Sequence, residues 1–357
     1  MSLQNKNSIL NRKEWKNGEL LLKSLPRMIF IEFTRCCNLY CGMCRSKQIL
    51  SNELFMPQNI LDKIETEVVP YVECIDVRGW GESTLDSRLL PFIEKYADSK
   101  TINLYTNLNA RDEAYWEKLS KLPINIVLSI ESADPDRYAL FRRGGNYEKI
   151  EKHLTVIKKS GVAKLYIAAT ILEDNMIDMR SLVDLARKYN AQFLQFSPIS
   201  RQKIGTEYPN IGFETTDSVL EQFKQISIYA HKKNVNVCIS ANLDTINTND
   251  NFRCIHPWSY CYFRYDGKIG FCDHLLCKNS SLVGDLSKNS FMEIWNSEQM
   301  IQSRKYHRTK DFTVLKENGI ECDWCYKNRY ANFEFLIQKD IKPIPLEDYI
   351  TLLESRK

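Results

Sequence analysis

Short apolar runs alternate with longer segments of helical periodicity from residue 28 to about residue 240. The pattern predicts strands at 28–34, 73–78, 101–106, 124–130, 163–170, 192–197 and 234–240. It predicts helices at 57–69, 86–98, 111–121, 147–159, 176–189 and 216–233. Strands that alternate with helices in this way indicate βαβ units and a parallel sheet. The predicted fold class is therefore α/β, with a partial (β/α)6 TIM-like barrel whose chemistry lies at the carboxyl ends of the strands.

The regular alternation stops near residue 245 and divides the chain into four predicted parts. Residues 1–26 are predicted to form an N-terminal leader on the surface, and 27–245 the core barrel. A small domain rich in cysteine, glycine and aromatic residues is predicted at 246–330, followed by a C-terminal helix within 331–357.

Composition narrows the class of protein. The 357 residues are 43% hydrophobic and 26% charged, as in an ordinary soluble protein. The net charge of +4 comes from 49 basic and 45 acidic residues that are scattered along the chain, so nothing favours a nucleic-acid partner. No apolar run approaches the roughly 20 residues that span a bilayer, and the N-terminus lacks the apolar stretch of a signal peptide. The sequence therefore predicts a cytoplasmic protein that does not enter a membrane.

Twelve cysteines favour metal binding or catalysis over disulfides if the compartment is reducing. Cys37, Cys41 and Cys44 form a C-x3-C-x2-C motif directly after the first predicted strand. Three thiolates this close suit one cubic iron–sulfur cluster, with the fourth iron left open. The alternative is a set of buried or free thiols. Cys36 is out of register with the motif and is interpreted as a non-ligand.

The cysteine motif, together with Gly79-Trp80-Gly81-Glu82 after the second strand, resembles the radical S-adenosylmethionine (SAM) superfamily. The resemblance covers residues 28 to about 200. It implies a [4Fe–4S] cluster whose open iron binds SAM, and reductive cleavage of SAM to a 5′-deoxyadenosyl radical that removes a hydrogen atom from the substrate. It also implies an electron donor such as flavodoxin or ferredoxin. The chain departs from the family in carrying Met43, not an aromatic residue, before the last cysteine.

The resemblance also implies which side chains contact SAM. Glycines of the second motif would let the backbone approach the methionine amino group, and polar residues after the fourth strand would bind the ribose. One of two neighbouring arginines would pair with the SAM carboxylate, and the end of the sixth strand would meet adenine. The predicted SAM contacts are Tyr40, Met43, Gly79, Gly81, Glu82, Asn107, Ser129, Glu131, Arg142, Arg143 and Pro198.

A second group of cysteines resembles the SPASM/twitch extension of radical SAM enzymes. Twelve residues separate Cys254 from Gly267, and four more separate Gly267 from Cys272. Cys322 and Cys325 follow as C-x2-C. Position 331, where a full SPASM domain would continue with cysteine, is alanine, so the shorter twitch form is predicted. These four cysteines are expected to hold one auxiliary [4Fe–4S] cluster. Zinc is the rival, because two cysteine pairs also suit that metal.

With an auxiliary cluster, the chain resembles the cyclitol dehydrogenases and epimerases of aminoglycoside pathways. The predicted function is a radical SAM oxidoreductase or epimerase that acts on a small polar molecule, a sugar or cyclitol. Cys261 and Cys277 are left unassigned, and Cys261, in the aromatic-rich segment 258–262, is the predicted catalytic hydrogen donor. A free packed thiol is the alternative for each.

Other classes are weighed against this function. A radical SAM maturase of a ribosomal peptide is the main alternative, although only 36 residues precede the cysteine loop, too few for an independent recognition domain. A tRNA-modifying enzyme would require a basic face. A molybdopterin-type twitch enzyme is disfavoured, because such enzymes end in Gly-Gly. A non-enzymatic iron–sulfur or zinc scaffold is the remaining class.

Overall fold

The structure, a computed structural model, describes residues 1–44, 54–198, 216–239, 253–272, 281–318, 320, 322 and 345–354. The strands are β1 (Met28–Ile31), β2 (Cys74–Val77), β3 (Thr101–Thr106), β4 (Asn125–Ser129), β5 (Lys164–Ile171), β6 (Leu194–Pro198), β7 (Val237–Ile239), β8 (Tyr260–Phe263), β9 (Lys268–Gly270) and β10 (Leu282–Asp285). The first eight helices are α1 (Leu3–Asn17), α2 (Gln58–Glu67), α3 (Leu89–Tyr96), α4 (Glu113–Ser120), α5 (Pro135–Phe141), α6 (Tyr147–Ser160), α7 (Met179–Lys188) and α8 (Asp217–Lys232). The others are α9 (His256–Ser259), α10 (Phe291–Trp295), α11 (Glu298–Thr309), α12 (Thr313–Glu317) and α13 (Leu346–Glu354).

One sheet holds all ten of these strands, in the order β10-β9-β8-β1-β2-β3-β4-β5-β6-β7. Neighbours from β1 to β7 are parallel, and β8 pairs in parallel with the other edge of β1. Strands β9 and β10 continue the sheet in antiparallel pairs. The predicted α/β fold class, a partial barrel with a C-terminal domain, is confirmed.

Alternation along the strands separates two faces of the sheet. Ile29, Ile31 and Val77 are fully buried in the main apolar core, together with residues of the surrounding helices. The intervening residues form the opposite, inner face, where Phe30 and Asp76 lie side by side in register. Several inner positions are polar, whereas the outer positions are apolar. The inner face is therefore the one suited to a polar ligand.

Local signals at the helix ends explain where several helices begin and end. Asp112, Asp134 and Asn146 each accept a backbone N–H from the first turn of α4, α5 and α6 respectively. Gly161 ends α6 in the left-handed conformation, at φ 68°. The three N-terminal caps hold α4, α5 and α6 to the loops that follow the carboxyl ends of β3 and β4.

The N-terminal segment differs from the predicted surface leader. In α1, Asn7 donates to the Leu25 carbonyl at 3.0 Å, and Asn11 donates to the Trp258 carbonyl at 2.7 Å. The buried Glu14 carboxylate accepts the backbone N–H of Ser24 at 3.1 Å. Helix α1 is thus joined by buried hydrogen bonds to the segment that enters β1 and to the C-terminal part of the chain.

In the C-terminal part, strands β8, β9 and β10 extend the barrel sheet. The predicted boundary at residue 246 falls outside the described residues. Within the predicted C-terminal segment 331–357, residues Leu346–Glu354 are helical. Among the described residues, no helix has the length and apolar character needed to cross a membrane.

Candidate functional site

The first cysteine group lies in the loop after β1, at the carboxyl end of the sheet. Cys37, Cys41 and Cys44 are all partly buried. The Thr34 hydroxyl accepts the backbone N–H of Cys36 at 2.9 Å and donates to the Leu54 carbonyl at 2.8 Å, which fixes the start of the loop. Cys36 itself is 1% exposed. The structure therefore places the three predicted ligands, and not Cys36, at the accessible part of the loop.

Two thiols of this loop, those of Cys37 and Cys41, are poor acids without a metal. Burial raises the pKa of Cys37 to about 12, and the nearby Glu82 carboxylate adds to the shift. Burial also raises the pKa of Cys41, which the Arg142 guanidinium opposes. Because iron binds thiolates, cluster binding would release protons from these groups. Soft sulfur donors of this kind fit an iron–sulfur cluster.

The described side chains do not form a ready-made site for a single metal ion. In the described part of the chain, no three His, Cys, Asp or Glu side chains come together in a group able to hold a metal ion. A cubic cluster does not require such convergence, because each thiolate binds a different iron. Zinc, by contrast, would gather four ligands at about 2.3 Å from one ion.

The Gly-Trp-Gly-Glu motif lies directly against the cysteine loop. A Cβ atom on Gly81 would lie 2.3 Å from the Thr34 carbonyl oxygen and 2.5 Å from that of Cys36. The next residue, Glu82, donates its backbone N–H to the Cys36 carbonyl at 2.7 Å. Gly79 is similarly close to the Glu32 side chain, with 2.5 Å from a Cβ to Glu32 Cγ. The two glycines therefore permit close packing of the loops after β1 and β2, whereas their contact with SAM stays a prediction.

Glu82 connects the motif to the end of β3. Its carboxylate is 3% exposed and accepts the Thr84 hydroxyl at 2.6 Å, the Thr106 hydroxyl at 2.8 Å and the Asn107 backbone N–H at 2.7 Å. Burial raises the pKa of Glu82, and these hydrogen bonds oppose the rise. The Asn107 side chain in turn donates to Asn38 Oδ1 at 3.0 Å, and its Nδ2 lies 3.9 Å from Cys37 Sγ. Glu82 thus orients Asn107 toward the cysteine loop.

Two predicted SAM contacts form a buried ion pair. Arg142 donates to Glu131 through Nε at 2.5 Å and through a terminal nitrogen at 2.7 Å. The Glu131 side chain is fully buried and that of Arg142 is 14% exposed. Arg142 also lowers the pKa of the Cys41 thiol through its charge and a hydrogen bond. Arg142 therefore lies beside the predicted cluster ligand Cys41, and Glu131 orients it.

The residues around Arg143 form the outer rim of the loop. The Arg143 carbonyl accepts the Tyr40 backbone N–H at 3.1 Å. Gly144 has a φ of 84°, and a Cβ there would lie 3.0 Å from the Tyr40 ring. The Tyr40 residue is 49% exposed, and Met43 is partly buried. These residues surround the cysteine motif, and their contacts with SAM stay predictions.

Further predicted contacts lie at the ends of β4 and β6. Ser129 is the last residue of β4, on the inner face, and is partly exposed. Pro198 is the last residue of β6 and pairs with Ile171 of β5. Both positions are at the carboxyl end of the sheet, the same end as the cysteine loop.

The second cysteine group is only partly described. Cys254 is buried, and its Sγ lies 3.3 Å from His256 Nδ1. Cys272 is partly buried against the main core, and Cys322 is 8% exposed within it. Cys325 and Cys277 lie outside the described residues. The assignment of Cys254, Cys272, Cys322 and Cys325 as ligands of the auxiliary cluster therefore stays a prediction.

The structure argues against Cys261 as a hydrogen donor. Cys261 lies in β8 between Tyr260 and Tyr262. These two tyrosines belong to a group of packed hydrophobic side chains on the inner face of the sheet. Alternation turns Cys261 to the opposite face, where it is fully buried in the apolar core between sheet and helices. A thiol there cannot reach a substrate on the inner face, so the predicted catalytic role is corrected to core packing.

Three charged residues of the site, Glu32, Asp76 and Arg78, were not predicted from the sequence. The Glu32 carboxylate, 3% exposed, accepts the backbone N–H of Trp80 at 2.9 Å and that of Tyr265 at 3.4 Å. Burial raises its pKa. Arg78, directly before the Gly-Trp-Gly-Glu motif, pairs with Asp76 on the inner face. In the sequence, Asp76 and Arg78 alternate with apolar residues of a predicted strand. This alternation could have indicated that both charged side chains lie on the same face of the sheet.

Comparison with protein families gives two matches. The radical SAM superfamily model matches residues 31–186, and the SPASM model, an iron–sulfur cluster-binding domain, matches residues 254–326. Two curated relatives, each a "probable GTP 3′,8-cyclase" of Methanococcus maripaludis, are 26% identical over 183 and 180 residues. The longer match covers 49% of this chain and 61% of the relative, so the chain spans less than two thirds of these relatives.

Solved structures share the fold. The crystal structure of Streptococcus suis SuiB has a TM-score of 0.66 at 16% identity and covers 95% of this chain and 80% of SuiB. The structure of anSMEcpe with bound AdoMet and Cp18Cys peptide has a TM-score of 0.62 at 17% identity. The match covers 92% of this chain and 96% of anSMEcpe. The match at 31–186 contains the C-x3-C-x2-C loop, and the match at 254–326 contains all four cysteines of the second group. The chain therefore contains a radical SAM superfamily domain followed by a SPASM iron–sulfur domain, and its cofactors are SAM and [4Fe–4S] clusters.

Proposed function

We propose that this protein oxidises or epimerises a hydroxyl-bearing carbon of a small polar molecule, a sugar or cyclitol. The observation that supports this most is the polar inner face of the sheet beside the cysteine loop. Ser129, Thr170 and Gln195 are partly exposed there and offer hydroxyl and amide groups. Such neutral donors and acceptors match the hydroxyl groups of a polyol.

A layer of buried polar side chains lies on the inner face of the sheet, below the partly exposed residues. Asp76 pairs in register with Asn103, and Asn103 pairs with Asn125. The Asn125 amide donates to Asn103 Oδ1 at 2.7 Å, and all three residues are at most 6% exposed. A floor of this kind limits how deep a ligand can enter, which favours a small molecule or a single side chain.

The chain's own residues would orient the cofactors. Arg142, held by Glu131, would pair with the SAM carboxylate, and Asn107, held by Glu82, would contact the cofactor near Cys37. When bound, SAM and its cluster supply an adenosyl radical that removes hydrogen, and an auxiliary cluster can accept an electron. Cys254, Cys272, Cys322 and Cys325 would hold that auxiliary cluster. Cys261 lies on the wrong face to return a hydrogen atom, so epimerisation would require another donor, for which Cys277 is the remaining candidate from the sequence.

A second candidate, modification of a peptide, has a specific observation in its favour. The structure of SuiB bound to precursor peptide SuiA has a TM-score of 0.63 and covers 95% of this chain. The anSMEcpe structure with a bound peptide covers 92%. A barrel that admits one side chain of a peptide would use the same inner face as a small substrate.

The test is anaerobic incubation of the reconstituted full chain with SAM, a reductant and two panels, one of sugars and cyclitols and one of short peptides. Formation of 5′-deoxyadenosine with deuterium transferred from a carbon-deuterated sugar would support the proposal. Transfer only from peptides would overturn it in favour of the second candidate. Cys37→Ala should abolish the reaction, and Cys36→Ala, a change at the adjacent buried cysteine, should preserve it.

A further inference from the structure

Arg78 is held in one orientation on the inner face. Its Nε lies 2.9 Å from Asp76 Oδ2, and the Asp76 side chain is fully buried. The centre of its guanidinium lies 5.1 Å from the Phe30 ring and 5.0 Å from the Tyr105 ring. Two rings and a carboxylate therefore restrict this side chain, although 28% of it remains exposed.

Arg78 lies next to the region in which the substrate is proposed to bind. It directly follows β2, and its backbone N–H donates to the Ile31 carbonyl at 3.3 Å, next to the loop that carries the cysteines. The partly exposed inner residues of the neighbouring strands, Tyr105, Ser129 and Thr170, are uncharged. Arg78, paired with Asp76, thus brings an oriented guanidinium to this part of the inner face. Arg142 and Arg264 at the same end of the sheet are also paired with carboxylates, but their side chains are only 14% and 15% exposed, against 28% for Arg78.

We propose that Arg78 binds an oxyanion group of the substrate, a carboxylate or a phosphate, so that the substrate is an acidic sugar or cyclitol derivative. This inference rests on the proposed function and names its substrate class. A guanidinium fork matches the two oxygens of a carboxylate or phosphate, and a fork that is already ordered loses less entropy on binding. Asp76 acts on the substrate only through Arg78 and is a positioning residue.

The test compares matched pairs of probes by equilibrium dialysis with the cluster-reconstituted full chain and SAM. The pairs are glucuronate with glucose, glucose 6-phosphate with glucose, and myo-inositol 1-phosphate with myo-inositol. The acidic member of at least one pair is expected to bind at least about tenfold more tightly than the neutral one. A preference for glucuronate indicates a carboxylate, and a preference for either phosphate ester indicates a phosphate.

Variants separate recognition from folding. Arg78→Gln alone leaves the buried Asp76 carboxylate without its partner, so the double variant Asp76→Asn/Arg78→Gln, which removes both charges, is used beside it. The double variant should retain iron and SAM binding and lose the preference for the acidic member. Arg180→Gln is the matched control, because Arg180 also stacks on a tyrosine, Tyr229 at 5.2 Å, but on the outer helices. It should keep the preference.

Each outcome decides the proposal. Equal binding of acidic and neutral members, binding of neither, or a preference that survives in the double variant would overturn it. If neutral sugars bind equally well and are oxidised, the proposed function stands and the role of Arg78 falls. If acidic probes bind through Arg78 but no sugar or cyclitol is oxidised or epimerised, the anion site stands and the proposed function falls.

Discussion

Single residues set the geometry of the cysteine loop, and Gly81 has the strictest steric requirement. Any side chain at Gly81 would meet two backbone carbonyls of that loop, and backbone atoms cannot move aside as a flexible side chain does. The residue at this position therefore controls how close the loop after β2 comes to the cluster ligands.

We expect Gly81→Ala to displace the cysteine loop and to remove the iron bound by Cys37, Cys41 and Cys44. Iron and sulfide analysis with EPR of the reduced protein would measure the loss. Gly161→Ala is the control, because a Cβ at Gly161 meets nothing within 4 Å. That change should cost only about 1 kcal/mol for its left-handed backbone and leave the iron content unchanged. Normal cluster loading in Gly81→Ala would contradict the steric argument.

The Glu131–Arg142 pair predicts an effect on stability. Glu131→Ala leaves a largely buried guanidinium without its carboxylate, and breaking such a pair costs about 3 to 5 kcal/mol. Urea unfolding of the protein without clusters would show the decrease in the free energy of unfolding. Glu117→Ala removes an exposed partner of Lys121 at 3.1 Å and should change that free energy by less than about 1 kcal/mol. Similar effects of the two changes would refute the assigned role of Glu131.

At the scale of elements, α11 joins the N-terminal segment to the C-terminal part through one buried arginine. Arg304 donates to the carbonyls of Pro257 at 2.9 Å, Leu20 at 2.9 Å and Trp295 at 2.7 Å. Burial lowers its pKa to about 9, so the side chain stays charged near neutral pH. Each of these carbonyls would lose its donor if the arginine were removed.

Arg304→Met is therefore expected to lower the free energy of unfolding by at least about 3 kcal/mol, because hydrogen bonds to charged groups contribute about 1.5 to 3 kcal/mol each. The matched control is Arg308→Met, one turn later on the same helix, where the exposed side chain makes one bond of 3.5 Å to Gly18. Chemical denaturation measures both. A loss no larger than that of the control would show that the carbonyls find other donors.

The strands and helices of the barrel could be predicted from the sequence, because their apolar residues recur with the period of a strand or a helix. The strand predicted at 101–106 has those bounds in β3, and the helix predicted at 147–159 is α6, Tyr147–Ser160. Helix α1 was missed because its buried residues are polar, among them Asn7, Asn11 and Glu14, so it has no apolar stripe. Hydrogen bonds to distant carbonyls decide its placement, and a sequence pattern does not show them.

The site was predictable where spacing carries the chemistry, as in the two cysteine groups, and less so where packing does. Composition alone made Cys261 a candidate for a substrate pocket, whereas its position in β8 turns it into the core. The pairing of Glu131 with Arg142 was also hidden, because the two residues are eleven positions apart in the chain, with helix α5 between them. Long-range contacts of this kind depend on the folded barrel.

At the scale of the whole molecule, the radical SAM core and the SPASM part share one sheet. Strand β8 pairs with β1 from Met28↔Tyr260 to Ile31↔Phe263. Strand β1 is therefore a central strand, with β2 on one side and β8 on the other. Removal of the C-terminal part would expose a hydrophobic strand edge directly before the cysteine loop.

A chain that ends at residue 252 is therefore expected to aggregate and to lose the N-terminal cluster, because an unpaired apolar edge promotes association. Size-exclusion chromatography and iron analysis measure both effects. A quadruple Cys254/Cys272/Cys322/Cys325→Ser variant is the control, since it keeps β8 and should remain dispersed with the N-terminal cluster bound. A monomeric truncated chain that binds iron would show that β8 is dispensable.

The contact of Glu32 with both parts limits how such proteins can be recombined. One carboxylate accepts the N–H of Trp80 beside the cysteine loop and the N–H of Tyr265 beyond β8. A chimera that takes its C-terminal module from another enzyme must therefore reproduce the register of β8 and present a backbone donor at the position of Tyr265. Grafting at the sequence boundary alone would leave a buried acid half satisfied, so the useful unit of exchange is the module together with β1 and its glutamate.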